Sequence, residues 1–141
     1  MSELVVRSIS WDGHQVMMDR LINQIEESGK KFGEIIAIGR GGFVPGIQLS
    51  HYLDIHFTPL MWQTRDGNIA QHHIAARGHA LIVDDINDSG RTLDNLTSTC
   101  TWLDGYSVAV EISKTSSIFK TVDFYAELGD DNVWYEFPWE Q

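Results

Sequence analysis

The chain has 141 residues, 43% of them apolar, and a formal net charge of −10, which suits one folded domain over residues 1–141 and excludes a disordered segment. The acidic balance, with no basic stripe, speaks against nucleic acid or an anionic membrane as the main partner. The one cysteine, Cys100, allows no internal disulfide, no apolar run is long enough to span a membrane, and no signal-peptide pattern opens the chain, so a cytoplasmic protein is expected.

Residues 3–9 read as a short strand. Ser10 caps a helix over about 11–27, where Val16, Met17, Leu21 and Ile25 fall at helical spacing and form the expected buried face. Ser28-Gly29 ends it. Residues 34–38, Glu-Ile-Ile-Ala-Ile, read as a buried strand. Gly39-Arg40-Gly41-Gly42-Phe43-Val44-Pro45-Gly46 follows directly. Glycines placed there let a backbone approach a ligand closely, and Pro45 suits the first turn of a helix to about Leu53, with Val44, Ile47 and Leu53 inward. The terminal Gly-Lys-Ser/Thr of a Walker loop is missing. By its chemistry alone Arg40 is either a ligand-facing cation or a solvated side chain.

Residues 55–60 form a third strand candidate, and from 62 to 78 the pattern weakens. Asp66-Gly67 suits a tight turn there. His72 and His73 are adjacent, so a strand would point them to opposite faces, unsuited to chelating one ion. Then comes the most informative stretch. Ala80-Leu81-Ile82-Val83 reads as a buried parallel strand, Asp84 and Asp85 follow at its end, and Asn87-Asp88-Ser89-Gly90-Arg91-Thr92 turns into a helix. That helix runs over about 91–103, with Leu93, Leu96, Cys100 and Leu103 inward. In an open α/β sheet, ligands lie outside the carboxyl ends of the strands. A Ser-Gly-Arg-Thr turn at a helix start offers amides, hydroxyls and a positive dipole end to a phosphate. Two carboxylates suit sugar hydroxyls or Mg²⁺.

Residues 106–112 read as a strand ending near Lys114, and 122–126 as a short edge strand. The alternation implies an α/β fold, an open, mostly parallel twisted sheet flanked by helices. The rim after strands 34–38, 80–84 and 106–112 would collect Arg40, Asp84, Asp85, Asp88 and Lys114. Taken alone, Lys114 is a solvent-facing or a site cation, and Trp134 and Trp139 belong to the core, a dimer contact or a pocket.

The segment Leu81-Ile82-Val83-Asp84-Asp85-Ile86-Asn87-Asp88-Ser89-Gly90-Arg91-Thr92 resembles the phosphoribosyl-pyrophosphate (PRPP) signature of the type I phosphoribosyltransferases: a hydrophobic strand, two acids, a variable pair, then Asp-Ser/Thr-Gly-x-Thr. Gly39–Gly46 resembles the pyrophosphate loop of the 6-oxopurine members, with Gly39 where serine is usual. The tail Trp134-Tyr135-Glu136-Phe137-Pro138-Trp139-Glu140 is similar to the Trp-x-Glu-x-Pro-Trp-Asp segment of the bacterial xanthine-guanine enzymes, with Glu140 in place of Asp.

This resemblance implies a Mg²⁺-dependent transfer of phosphoribosyl from PRPP to guanine, xanthine or hypoxanthine, in purine salvage. Asp84 and Asp85 would hold the ribose hydroxyls and Mg²⁺, in part through water, with Glu140 as a further metal ligand. Asn87, Asp88, Ser89, Gly90, Arg91 and Thr92 would complete the PRPP site, and Arg40, Gly41 and Gly42 would hold the pyrophosphate. Lys114 would donate to the purine 6-oxo group, Trp134 would stack on the ring, and Tyr135 would contact it through its backbone. Asp88 would transfer the purine proton, or position the base by a hydrogen bond. Residues 62–78 would form a hood over the site, without the usual Ser-Tyr pair, and 131–141 would close the base pocket. The family's habit implies a homodimer or tetramer. Rival readings are a phosphoribosyltransferase for adenine or a pyrimidine, a PRPP-fold nucleotide sensor without catalysis, and a flavodoxin-like nucleotide-binding module.

Overall fold

The computed structural model describes residues 4–62, 78–100 and 105–141. Its main layer is a five-stranded, wholly parallel sheet of β2 (Glu34–Gly39), β3 (His56–Met61), β4 (Ala80–Asn87), β5 (Tyr106–Lys114) and β6 (Phe124–Gly129), in the order β3-β2-β4-β5-β6. Helices α1 (Trp11–Ser28) and α2 (Phe43–Leu53) cover one face, and α3 (Arg91–Thr99) the other. A separate pair, β1 (Val5–Ser8) and β7 (Val133–Glu136), forms a small parallel sheet, and Pro138–Glu140 makes a single 3₁₀ turn.

Strands β2, β4 and β5 are apolar without alternation because helices bury both of their faces. Ile36, Ile38, Ile82, Val108 and Val110 pack with Leu93 and Leu96 of α3. Ile35, Ala37, Leu81, Val83 and Ala109 pack with Met18, Leu21 and Leu49 on the other side. From β2 the chain steps outward to β3, then returns across β2 to β4 and proceeds the other way. The order therefore reverses between β2 and β4, and the crevice at such a reversal is where open α/β sheets bind ligands.

Several boundaries differ from expectation. The buried face of α1 is His14, Met17, Met18, Leu21 and Ile25, while Val16 lies 50% exposed. Ile47 of α2 is also exposed, and Pro45, Gly46 and Leu49 face inward instead. Strand β4 runs on to Asn87, so both central carboxylates lie within it. Helix α3 ends at Thr99 with buried Cys100 as its cap, and Leu103 lies outside the described residues. Strand β7 was not expected. The hood segment is described only at Trp62, which is buried, and at Gly78. Asp66, Gly67, His72 and His73 lie outside the described residues. Among the described residues no helix is long and apolar enough to cross a membrane.

Candidate active site

Two loops leave the reversal point side by side. After β4, the turn Asp88-Ser89-Gly90 enters α3 with Gly90 in the left-handed region at φ 88°. A Cβ there would overlap Ser117 Oγ and crowd the Phe119 amide, so only glycine fits. Gly90, at the N-cap of α3, has no side chain to cap it; Ser89 Oγ accepts the Arg91 amide at 3.3 Å, and this helix start is a place that favours an anion. Residues 84–90, with Thr92 and Leu93, enclose a hollow of ≈ 210 Å³, the size of a phosphate and part of a sugar. Ser89 and Thr92 line it, whereas Arg91 is exposed at its edge.

Asn87 stands apart from the rest of this set. Its side chain is buried behind the loop, donating to Ser113 Oγ (3.2 Å) and the Phe119 carbonyl (3.0 Å) and accepting from Ser117 Oγ (2.7 Å). It braces the loop from the inside, and the Ile118 amide fastens the same loop at the Ser89 carbonyl, 2.9 Å.

After β2, Gly39 and Arg40 are joined by a cis peptide bond, and Arg40 is exposed at the mouth of the crevice. Gly39 packs against the Phe43 ring and the Met61 sulfur, which a Cβ would have to push aside. Gly42 lies so close to the Val83 and Ile38 carbonyls that no side chain could fit, and its amide donates to the Ile38 carbonyl at 2.8 Å. Its part is therefore close packing of the two loops, with its N–H engaged inside the protein. Gly41 lies directly against the Asp85 carboxylate and joins the arginine loop to the acidic pair.

Asp84 and Asp85 accept from the next amides along the chain, Asp85 N–H and Ile86 N–H, each at 2.8 Å. Burial pushes the Asp84 carboxyl well above its usual range, and the charge of Asp85 adds to the effect. Asp85 is raised too, mainly by burial, with the charge of Glu140 acting in the same direction against the pull of its amide bonds. Two carboxylates that resist holding their charges together are what a divalent cation would relieve. Among the described residues no group of three or more His, Cys, Asp or Glu side chains could hold a metal ion unaided.

A larger hollow of ≈ 850 Å³ opens beside the first, lined by Arg40, Gly41, Asp85, Asp88 and the tail residues Trp134, Tyr135, Phe137, Trp139 and Glu140. Asp85, Ile86 and Asp88 line both hollows and so mark where they meet. Lys114, at the end of β5, is buried and ion-paired to Asp88, Nζ to Oδ1 2.8 Å. Its Nζ also lies 5.9 Å from the centre of the Tyr135 ring. Tyr135 is buried and its hydroxyl accepts the Asp130 amide at 2.9 Å, while Trp134 is half exposed. Glu140 Oε1 accepts the Phe137 amide at 3.2 Å and closes the tail's turn.

Beneath this floor lie two residues not anticipated from the sequence, His14 and Glu111, bonded to each other at 2.7 Å. A glutamate inside the apolar run of β5, and a histidine on the 3.6-residue stripe of α1, were the available signals.

No protein-family model matches the chain. Xanthine-guanine phosphoribosyltransferase from Cereibacter sphaeroides is 30% identical over 149 aligned residues, spanning 94% of this chain and 85% of that protein. This chain is a type I phosphoribosyltransferase. The protein of the same description from Idiomarina loihiensis is 27% identical over 94% of this chain and 85% of its own length. The solved structure of a purine phosphoribosyltransferase from Pyrococcus horikoshii superimposes with a TM-score of 0.80 and 25% identity, over 96% of this chain and 95% of that one. As a member of this family the enzyme is a pentosyltransferase.

Proposed function

We propose that the enzyme transfers the phosphoribosyl group of PRPP to a 6-oxopurine (guanine, xanthine or hypoxanthine), releasing pyrophosphate and a nucleoside monophosphate for purine salvage. The observation that carries this reading is buried Lys114, whose ammonium lies 2.8 Å from Asp88, a residue that lines both hollows where they meet. An ammonium has donors only, so it favours a base with an oxo group at position 6 over one with an amino group. The relatives named for xanthine and guanine, and the purine enzyme of similar fold, support the same class.

In this reading the smaller hollow takes the 5′-phosphate on Ser89, Gly90, Arg91 and Thr92. Asp84 and Asp85 hold the ribose hydroxyls. Arg40 and Gly41 face the pyrophosphate. Trp134 covers one side of the base and Tyr135 borders it. The C1–pyrophosphate bond breaks with its electron pair leaving on oxygen, and the purine nitrogen forms the new bond to C1. The N–H proton of the purine imidazole passes to Asp88, which lines both hollows. Arg40 stabilises charge on the departing oxygens. Mg²⁺, when bound, neutralises the pyrophosphate. Asp84 and Asp85 suit it because Mg²⁺ takes one or two carboxylates and fills its other positions with water and substrate oxygens. Glu140 completes that acidic wall.

The test is pyrophosphate release with Mg²⁺, PRPP and one base at a time. Guanine, xanthine or hypoxanthine should support release. Release with adenine or a pyrimidine alone would overturn the role of Lys114, and release with none would overturn the reading as a whole.

A further inference from the structure

One polar cluster outside the substrate-facing set is fully enclosed. His14 is 1% exposed and Glu111 0%. His14 Nδ1 lies 2.7 Å from Glu111 Oε1, and Nε2 lies 2.6 Å from Gln48 Oε1. Both ring nitrogens are therefore held, and a charged ring would donate at each. Burial works against that charge, but the bonds to Glu111 and Gln48 and the Glu111 carboxylate outweigh it. Such a pair is a poor way to stabilise a core, since apolar residues of the same volume serve as well or better. Glu111 Oε2 has no partner among the described residues, which adds to the cost. An arrangement so unhelpful to folding needs another explanation.

The surroundings of the ring supply one. Trp139 lies edge-on to His14 at 5.1 Å and 87°, and Trp11 does the same at 5.8 Å. Trp139 in turn stacks on Phe137 at 5.0 Å and 16°. The start of α1 holds the tail by its backbone as well. The Ile9 amide donates to the Glu136 carbonyl at 2.8 Å, and Gln141 Nε2 donates to the Ile9 carbonyl at 2.9 Å. Phe137 and Trp139 both line the larger hollow.

We propose that His14 is a positioning residue: fixed in one rotation by Glu111 and Gln48, its ring seats Trp139 and so sets the wall of the hollow assigned to the purine. A ring bonded at both nitrogens cannot turn, whereas a phenyl ring could. The bonds also join three parts of the site. Gln48 belongs to α2, which follows the arginine loop. Glu111 lies three residues before Lys114. Trp139 belongs to the tail.

This inference rests on the larger hollow being the purine site, so its first test needs no substrate. His14→Ala alone would strand the Glu111 charge and risk unfolding, so two other variants are used. His14→Leu with Glu111→Met removes ring and charge together and refills the volume. Glu111→Gln keeps the ring and an acceptor for it. Hydrogen exchange of the peptide covering residues 137–141 should speed up about tenfold in the double variant, the scale of one lost aromatic contact, and stay within about twofold in Glu111→Gln. Steady-state kinetics should show the KM for the base rising about five- to tenfold in the double variant, with turnover and the KM for PRPP within about twofold. Unchanged tail exchange in a folded double variant would overturn the proposal, as would an equal rise in both KM values. If the unmodified enzyme uses no purine, the purine reading fails, and the exchange experiment still judges His14.

Discussion

The two halves of the site are built from different materials. The half proposed for the phosphates is backbone geometry at the ends of β2 and β4, the mostly buried strands at the middle of the sheet, with Gly42 and Gly90 placed where no side chain would fit. The half proposed for the purine is a set of side chains, Trp134, Tyr135 and Trp139 with Lys114 beside Tyr135, partly carried by a two-stranded sheet whose β1 strand is exposed along its whole length. Backbone sites are hard to alter without disturbing the fold. Side-chain sites change chemistry more freely, because each group can be exchanged without moving its neighbours. A phosphoribosyl donor that never varies suits the first half, and an acceptor base that differs among enzymes suits the second.

Asp88 lies on the border, so its substitution tests the division most severely. Asp88→Asn should lower turnover about a hundredfold or more, in the range of general acid–base catalysis, with the KM for PRPP nearly unchanged. An equal loss in PRPP affinity would show that the two halves do not separate. Next in size is Gly90→Ala, which forces a side chain into the left-handed region against Ser117 and Phe119. It should cost about 1–3 kcal/mol in urea unfolding and weaken PRPP without changing preference among bases. Trp134→Ala should do the reverse. Half exposed, it should change stability by only about 0.5 kcal/mol, but raise the KM for the base about five- to tenfold.

The smallest effect is on stability and carries a sign. Asp84 binds its proton more tightly in the folded protein than in the unfolded chain. Its contribution to stability is therefore complete at low pH and is lost as pH rises from the ordinary aspartate range through the raised value. Asp84→Asn should raise the melting temperature of the ligand-free enzyme near neutral pH, flatten that part of its pH profile and weaken PRPP binding. A lower melting temperature at neutral pH would show that Asp84 is not held at a cost.

The half proposed for the phosphates was also the more legible as local structure. Its residues are contiguous, because a strand end, a turn and a helix start must follow one another to make the loop, and 80–92 spell all three. The parallel sheet was legible for the same reason, in the apolar runs 35–38 and 80–83. The purine half joins residues far apart in the chain, and its local signals are weak. Strand β7 has four residues beside an exposed partner, too little to show a period in the sequence. A polar residue on an apolar stripe reads as a break, so helical spacing points to Val16, which lies exposed, rather than to buried His14. Asn87 fits the signature's variable pair, yet its side chain faces Ser113 and Ser117; only the packing of the neighbouring loop reveals that.

The pairing of β1 with β7 bears on the order of assembly. Val5 sits opposite Val133 and Ser8 opposite Glu136, a separation of more than a hundred residues. A ribosome has made every strand of the large sheet before it reaches Val133, so the phosphate loops can settle while the chain is still being extended. The purine wall cannot, since β1 waits for a partner among the last residues described. Long-range pairing of this kind is slow to form. The enzyme would gain its grip on the sugar phosphate first, and its choice of base last.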